Sequence, residues 1–202
     1  VTTIGDEAFG NCTSLASITI PNSVTTIGNY AFDFCEALTS VIIPDSVTTI
    51  GNYAFYYCTS LTSVTIPNIV TSIGYMAFSG CTSLTSIEVD KNNEAYKSID
   101  GNLYSKDGET LIQYAIGKTD ASFVIPNSVI SISGYAFYKC ISLTSVTIPD
   151  SVTKIGNSAF RDCNSLMRVT IPNNVTNVED YAFSGCGGLR SATIRDSVRR
   201  IG

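Results

Sequence analysis

Residues 143–165 read LTSVTIPDSVTKIGNSAFRDCNS, and Leu166 opens the next copy. The same phase returns at Leu15, Leu38, Leu61, Leu84, Leu143, Leu166 and Leu189, 23 residues apart wherever the series is uninterrupted. A fixed period of roughly 20 to 50 residues marks a solenoid, in which each copy buries its apolar face only by stacking on its neighbours.

The unit divides into three short segments. Val146 and Ile148 alternate with Ser145 and Thr147, the period-2 pattern of a strand with one face buried. Pro149 has no N–H to give to a ladder, so the strand stops there and Asp150-Ser151 turn the chain. Val152 and Ile155 then put two apolar residues three apart, a second inward-pointing segment. After Gly156, Ala159, Phe160 and Cys163 fall at i,i+3 and i,i+4 spacing, which predicts one short helical turn.

The pattern L-x-x-I-x-I-P-x-x-V-x-x-I-G-x-x-A-F-x-x-C resembles the BspA-like class of leucine-rich repeats, found in surface proteins of bacteria and some protists, and it recurs over essentially the whole chain. The resemblance implies a curved, right-handed solenoid with a parallel β-sheet on its concave side and the short helical turns on the other. It implies a cell-surface or secreted protein that works in adhesion or protein binding. It also makes residues 1–202 a single solenoid. Because both ends fall in mid-repeat, the chain is expected to be a fragment of a longer array.

The period breaks once. From Leu84 to Asp120, the next residue of the same phase, is 36 residues, and no Cys follows Leu84 on schedule. Two β-rich runs flank Lys106-Asp107-Gly108, a strong hairpin signal. Residues 84–120 are therefore read as a variant repeat in which a β-hairpin at 99–115 replaces the helical turn. The hairpin is expected to decorate a continuous sheet, with strands 87–89 and 123–125 side by side.

Net charge is −5, but it is unevenly spread. Residues 1–90 carry seven acids and no Lys or Arg, whereas residues 154–202 carry seven bases and four acids. Along a stacked rod this is a lengthwise gradient, read either as drift among solvated positions or as steering of a partner or of end-to-end self-association. The late arginines form a small terminal patch without stacking aromatics, which argues against nucleic acid. No run approaches the ~18 apolar residues of a membrane helix, so no membrane insertion is expected.

Seven cysteines stand at 12, 35, 58, 81, 140, 163 and 186, each three residues after the repeat's Phe, and there is no His. Zinc sites need pairs two to four residues apart, so no metal site is expected. Neighbouring side chains in a stacked column point the same way, which favours buried free thiols over a disulfide ladder. In 90–95 the calcium-loop pattern fails, since Ala95 stands where Gly is needed. Without His, Gly-rich phosphate loops or convergent acids, no catalytic or cofactor-binding residue is assigned. Asn11-Cys-Thr and Asn174-Val-Thr fit the glycosylation acceptor pattern.

Two function classes follow: a non-enzymatic binding scaffold for a protein ligand, such as a host or matrix protein, and a structural spacer or self-associating array without a specific ligand. Ice or mineral binding by the Ser/Thr rows is disfavoured, because Ile42, Glu88, Val124 and Arg168 spoil their flatness. The primary candidate surface is the outward side of the strands, at Ile42, Thr65, Glu88, Val124, Thr147 and Arg168. The secondary candidate is an aromatic patch of Phe34, Tyr56 and Tyr57, flanked by Tyr30 and Tyr53.

Overall fold

A computed structural model describes residues 1–202. The chain winds through about nine turns of about 23 residues as a β-solenoid of the leucine-rich-repeat kind, with parallel sheets and no helix. Every regular coil contributes two very short strands, one to each of two ladders. Strands such as Ser40–Val41, Ser63–Ile66, Ser145–Thr147 and Arg168–Thr170 build the first ladder. Thr26–Ile27, Thr49–Ile50, Ser131–Ile132 and Lys154–Ile155 belong to the second. Pairing is parallel, with Ile27 against Ile50 and Val64 against Ile87, so each side chain stacks on its own counterpart one repeat away.

Sequence punctuation explains why the strands are short. Each Pro ends the first strand, and its carbonyl accepts the N–H three residues on, as in Val47 to Pro44 at 3.0 Å. The glycine after the second strand meets the equivalent residue of the previous coil. A Cβ on Gly51 would lie 2.5 Å from the Gly28 carbonyl carbon, so a side chain there would push these two coils apart.

The predicted helical turn is corrected. In its place, the Asp33 N–H reaches the Tyr30 carbonyl at 3.3 Å and the Cys35 N–H reaches that of Phe32 at 3.2 Å, two successive tight turns. The alternate N–H groups of Tyr30, Phe32 and Phe34 donate sideways to Asn52, Ala54 and Tyr56 of the next coil, at 2.9, 2.8 and 2.7 Å. A helix would spend those donors internally and leave the neighbouring carbonyls bare. Sideways bonding wins three bonds per step at the cost of left-handed backbone at Tyr30 (φ 54°) and Phe34 (φ 52°).

Between the ladders and the turns lies a core of aligned columns. Phe32 and Phe55 stack with centroids 5.2 Å apart and planes within 9°, and Phe55 stacks on Phe78 at 5.5 Å. These separations follow the ~4.8 Å step of a β ladder. All seven cysteines are free thiols; Cys35, Cys58, Cys81, Cys140 and Cys163 are buried, Cys186 is half-buried and Cys12 is exposed. Each donates where it can to the Phe carbonyl of the preceding coil, as Cys58 does to Phe32 at 3.2 Å.

The insert is also corrected. It is a three-stranded antiparallel meander, Tyr96–Ile99, Asn102–Ser105 and Thr110–Gln113, rather than a hairpin at 99–115. The first reversal is at Asp100-Gly101, whose φ values of 50° and 69° give the twist a two-residue hairpin needs. Thr110–Gln113 pairs in parallel with Ser131–Ile132 and so restarts the second ladder.

The first ladder does not run through. Ser86–Val89 pairs with Ser63–Ile66 but not with Ser122–Val124. Its Ile87 N–H instead donates to the Gly101 carbonyl at 2.8 Å, and its Ile87 carbonyl accepts from the Ser98 hydroxyl at 2.8 Å. The core divides accordingly into one cluster from Ile4 to Leu103 and another from Tyr104 to Ala182. The insert is a bridge, not a decoration.

Candidate binding surfaces

Outward positions of the first ladder alternate with buried ones, so Ile42, Thr65, Glu88, Val124, Thr147 and Arg168 all reach solvent. Ile42 is 82% exposed and Val124 67%, among short hydroxyl neighbours. The six do not share one ladder. Ile42, Thr65 and Glu88 lie before the Asp100-Gly101 reversal, and Val124, Thr147 and Arg168 lie after it, on strands that pair with one another. Glu88 accepts a hydrogen bond from the neighbouring Ser86 hydroxyl.

Phe34, Tyr56 and Tyr57 are half-buried and packed on one another, with Phe34–Tyr57 stacked at 5.0 Å and Phe34–Tyr56 edge-on at 5.6 Å. They belong to a larger cluster. The Tyr57 hydroxyl meets the Tyr138 hydroxyl at 3.0 Å, Lys139 Nζ sits 4.5 Å from the Tyr57 ring centroid, and Tyr75 meets Tyr135 edge-on at 5.7 Å. Burial, then neighbouring tyrosine hydroxyls, push the Tyr56 hydroxyl well above its usual range. The same causes push Tyr75 up to about 12. Tyr75, at 48% exposure, is the most open ring facing the insert.

Tyr135 and Tyr138 escaped the sequence reading because 81 residues separate Tyr57 from its partner. A signal was present: coils on both sides of the break carry tyrosine at turn positions, and the coil between them has no turn of that kind.

Beneath Tyr75 the omitted turn leaves a cleft of about 420 Å³, floored by Ile73, Met76, Tyr96, Leu103 and Ile112, with Gln113 at its inner end. No three Cys, Asp or Glu side chains converge where they could hold a metal ion. No helix is long and apolar enough to cross a membrane.

The family model of the BspA type leucine rich repeat region matches residues 1–107 and 114–202, in six copies. The crystal structure of a leucine rich cell surface protein from Faecalibacterium prausnitzii superposes with a TM-score of 0.82 at 35% identity, over 98% of this chain and 62% of that one. A leucine-rich repeat protein from Eubacterium ventriosum gives 0.71 at 26% identity, over 96% of this chain and 70% of that one. The fold is also similar to that of the pneumococcal vaccine antigen PcpA, with a TM-score of 0.56 at 23% identity over 89% and 60% of the two chains. This chain thus spans less than two thirds of the length of the first of these structures. No curated protein is significantly similar to it.

Proposed function

Since the chain belongs to the BspA-type leucine-rich repeat family, we propose that it is a non-enzymatic scaffold, carried at the cell surface or secreted, that binds a protein ligand. The observation that carries this reading is the outward row of the first ladder. Ile42 and Val124 are large apolar side chains held 82% and 67% in solvent, at positions the core does not use. Apolar side chains set among short hydroxyls match the apolar-centre, polar-rim make-up of protein interfaces. The similarity to a cell surface protein supports the location.

The spacer reading draws on a different observation. Beside the second ladder a column of surface threonines spends its hydroxyls on the rod itself: Thr25, Thr48 and Thr71 each donate to the threonine carbonyl one coil earlier, at 3.2, 3.2 and 3.4 Å. Capture of extracellular-matrix and cell-surface proteins by the immobilised chain separates the two. A binding scaffold captures a partner that Ile42→Ser plus Val124→Ser abolishes while the melting curve stays unchanged. If capture is lost only with Tyr56→Ser plus Tyr57→Ser, the strand face is not the site.

A further inference from the structure

The array binds itself by one repeated arrangement of main-chain groups, and that arrangement is left open at a single interior place. In every regular coil the three alternate turn amides donate to three alternate carbonyls of the next coil. Tyr53, Phe55 and Tyr57 donate to Tyr75, Ala77 and Ser79 at 2.9, 2.8 and 3.0 Å, and Tyr135, Phe137 and Lys139 donate to Asn157, Ala159 and Arg161 at 3.1, 2.8 and 3.0 Å. The matching amides of the coil before the insert, Met76, Phe78 and Gly80, find no carbonyl. On the far wall Gly134 and Tyr138 have carbonyls that no N–H reaches, and only Ala136, between them, is served by the Tyr114 N–H at 2.9 Å.

The backbone at Met76 (φ 56°) repeats that of Tyr53 (φ 56°), so its N–H points along the rod as every counterpart does, here into the cleft. One side chain already imitates a peptide group in this gap. The Gln113 amide accepts from the Ser79 hydroxyl at 3.2 Å and donates to the Ala136 carbonyl at 3.0 Å.

We propose that this gap is a docking site for an extended segment of a protein partner, which lies across the cleft as a substitute for the omitted turn. In an extended chain alternate residues turn their carbonyls to the same side, at about 6.6 Å per two residues. Such a segment offers acceptors to the Met76 and Phe78 amides at the open end of the cleft, while its intervening N–H faces the Gly134 carbonyl. The apolar floor of Ile73, Met76 and Ile112 takes its inward side chains. Main-chain bonding supplies affinity and the floor supplies selectivity, as in other cases of strand addition. Tyr57, whose ring packs over Gly80, closes the inner end against Tyr138, so entry is beside Tyr75 and Gly134.

This site is on a different surface from the Ser/Thr row, so its failure leaves the proposed function of that row standing. The test is selection of a displayed, randomised short-peptide library on the immobilised chain, with Ser133→Trp as a variant that fills the mouth and Val124→Ser as a control on the strand face. Peptides selected on the unmodified chain and resynthesised are expected to slow amide exchange at Met76 and Phe78. They should bind Val124→Ser normally and lose binding to Ser133→Trp, with both variants melting as the parent does. If the library yields no peptide above background, or the selected peptides leave those two amides unprotected, the proposal is overturned.

Discussion

Repetition turns a single side chain into a column. Phe55 has no exposed surface and stacks on both Phe32 and Phe78. Its replacement by Ala is expected to cost about 3–5 kcal/mol. Tyr57→Ala should cost less, since that ring is only half-buried; urea titration of the two variants checks the order, and equal losses would contradict the assigned inward face. The thiols behave as small buried hydrophobes that carry a weak donor. Native-state alkylation should therefore modify Cys12 first and Cys186 next, and leave the five buried thiols untouched until denaturant is added. Burial pushes Cys35 up to about 11 and Cys81 up to about 12, from an ordinary thiol value of 9.0. An acid whose folded pKa is raised stabilises the fold below its unfolded pKa and loses that contribution as pH rises towards the folded value. The denaturation midpoint should hold from pH 7 to about 9 and then fall through pH 11, and replacing Cys35 and Cys81 by Ala should flatten the fall.

At the scale of the element, what decides each segment is where its main-chain bonds go. The strands and the Pro stops were legible because period-2 alternation and a missing N–H act locally. The turn was not, since Ala159, Phe160 and Cys163 keep helical spacing whether their amides bond within the coil or to the next one. Only the stacked neighbour settles that choice. In the insert, Asp107-Gly108 was readable as a reversal, and Asp100-Gly101 carries the same dipeptide signal one strand earlier. Asn93 holds the entry to the meander. Fully buried, it donates to the Pro67 and Val70 carbonyls at 2.8 and 3.0 Å, and its Oδ1 accepts from the Ala95 and Tyr96 amides at 2.9 and 2.8 Å. Asn93→Ala removes all four of these bonds, leaving the Pro67 carbonyl only the Val70 N–H at 3.3 Å, and should destabilise by about 1–3 kcal/mol or more. Asn68→Ala, at an exposed position, should be near neutral and serves as the comparison.

Across the whole molecule, period 23 and its interruption were both plain in the sequence, but the mechanical consequence of the interruption was not. Thirteen extra residues announce an insertion without saying whether the ladders close up around it. They do not, because Gly101 takes the hydrogen bond from Ile87 and Tyr96 takes that from Ile73, at 2.8 and 2.9 Å. The candidate surfaces shared this fate: strand-face residues were read correctly as outward, while their separation by the Asp100-Gly101 reversal and the tyrosine contacts across the gap depend on that packing. With the core parted between Leu103 and Tyr104, adjacent residues of one strand belong to different clusters. Nearest-neighbour coupling in a solenoid is then weakest at the meander, and the rod should open as two cooperative units. Native-state hydrogen exchange in rising denaturant is expected to resolve residues 1–103 and 104–202 into separate isotherms. Tyr138→Phe, which removes the Tyr57 hydroxyl contact across the gap, should widen their separation. Deleting residues 96–113 removes Leu103, Tyr104 and Leu111 from the two cores and the partner of Ser131–Ile132 from the ladder. That variant should melt in two steps set further apart than the parent's, and a single sharp transition would show that the coils can close directly on one another.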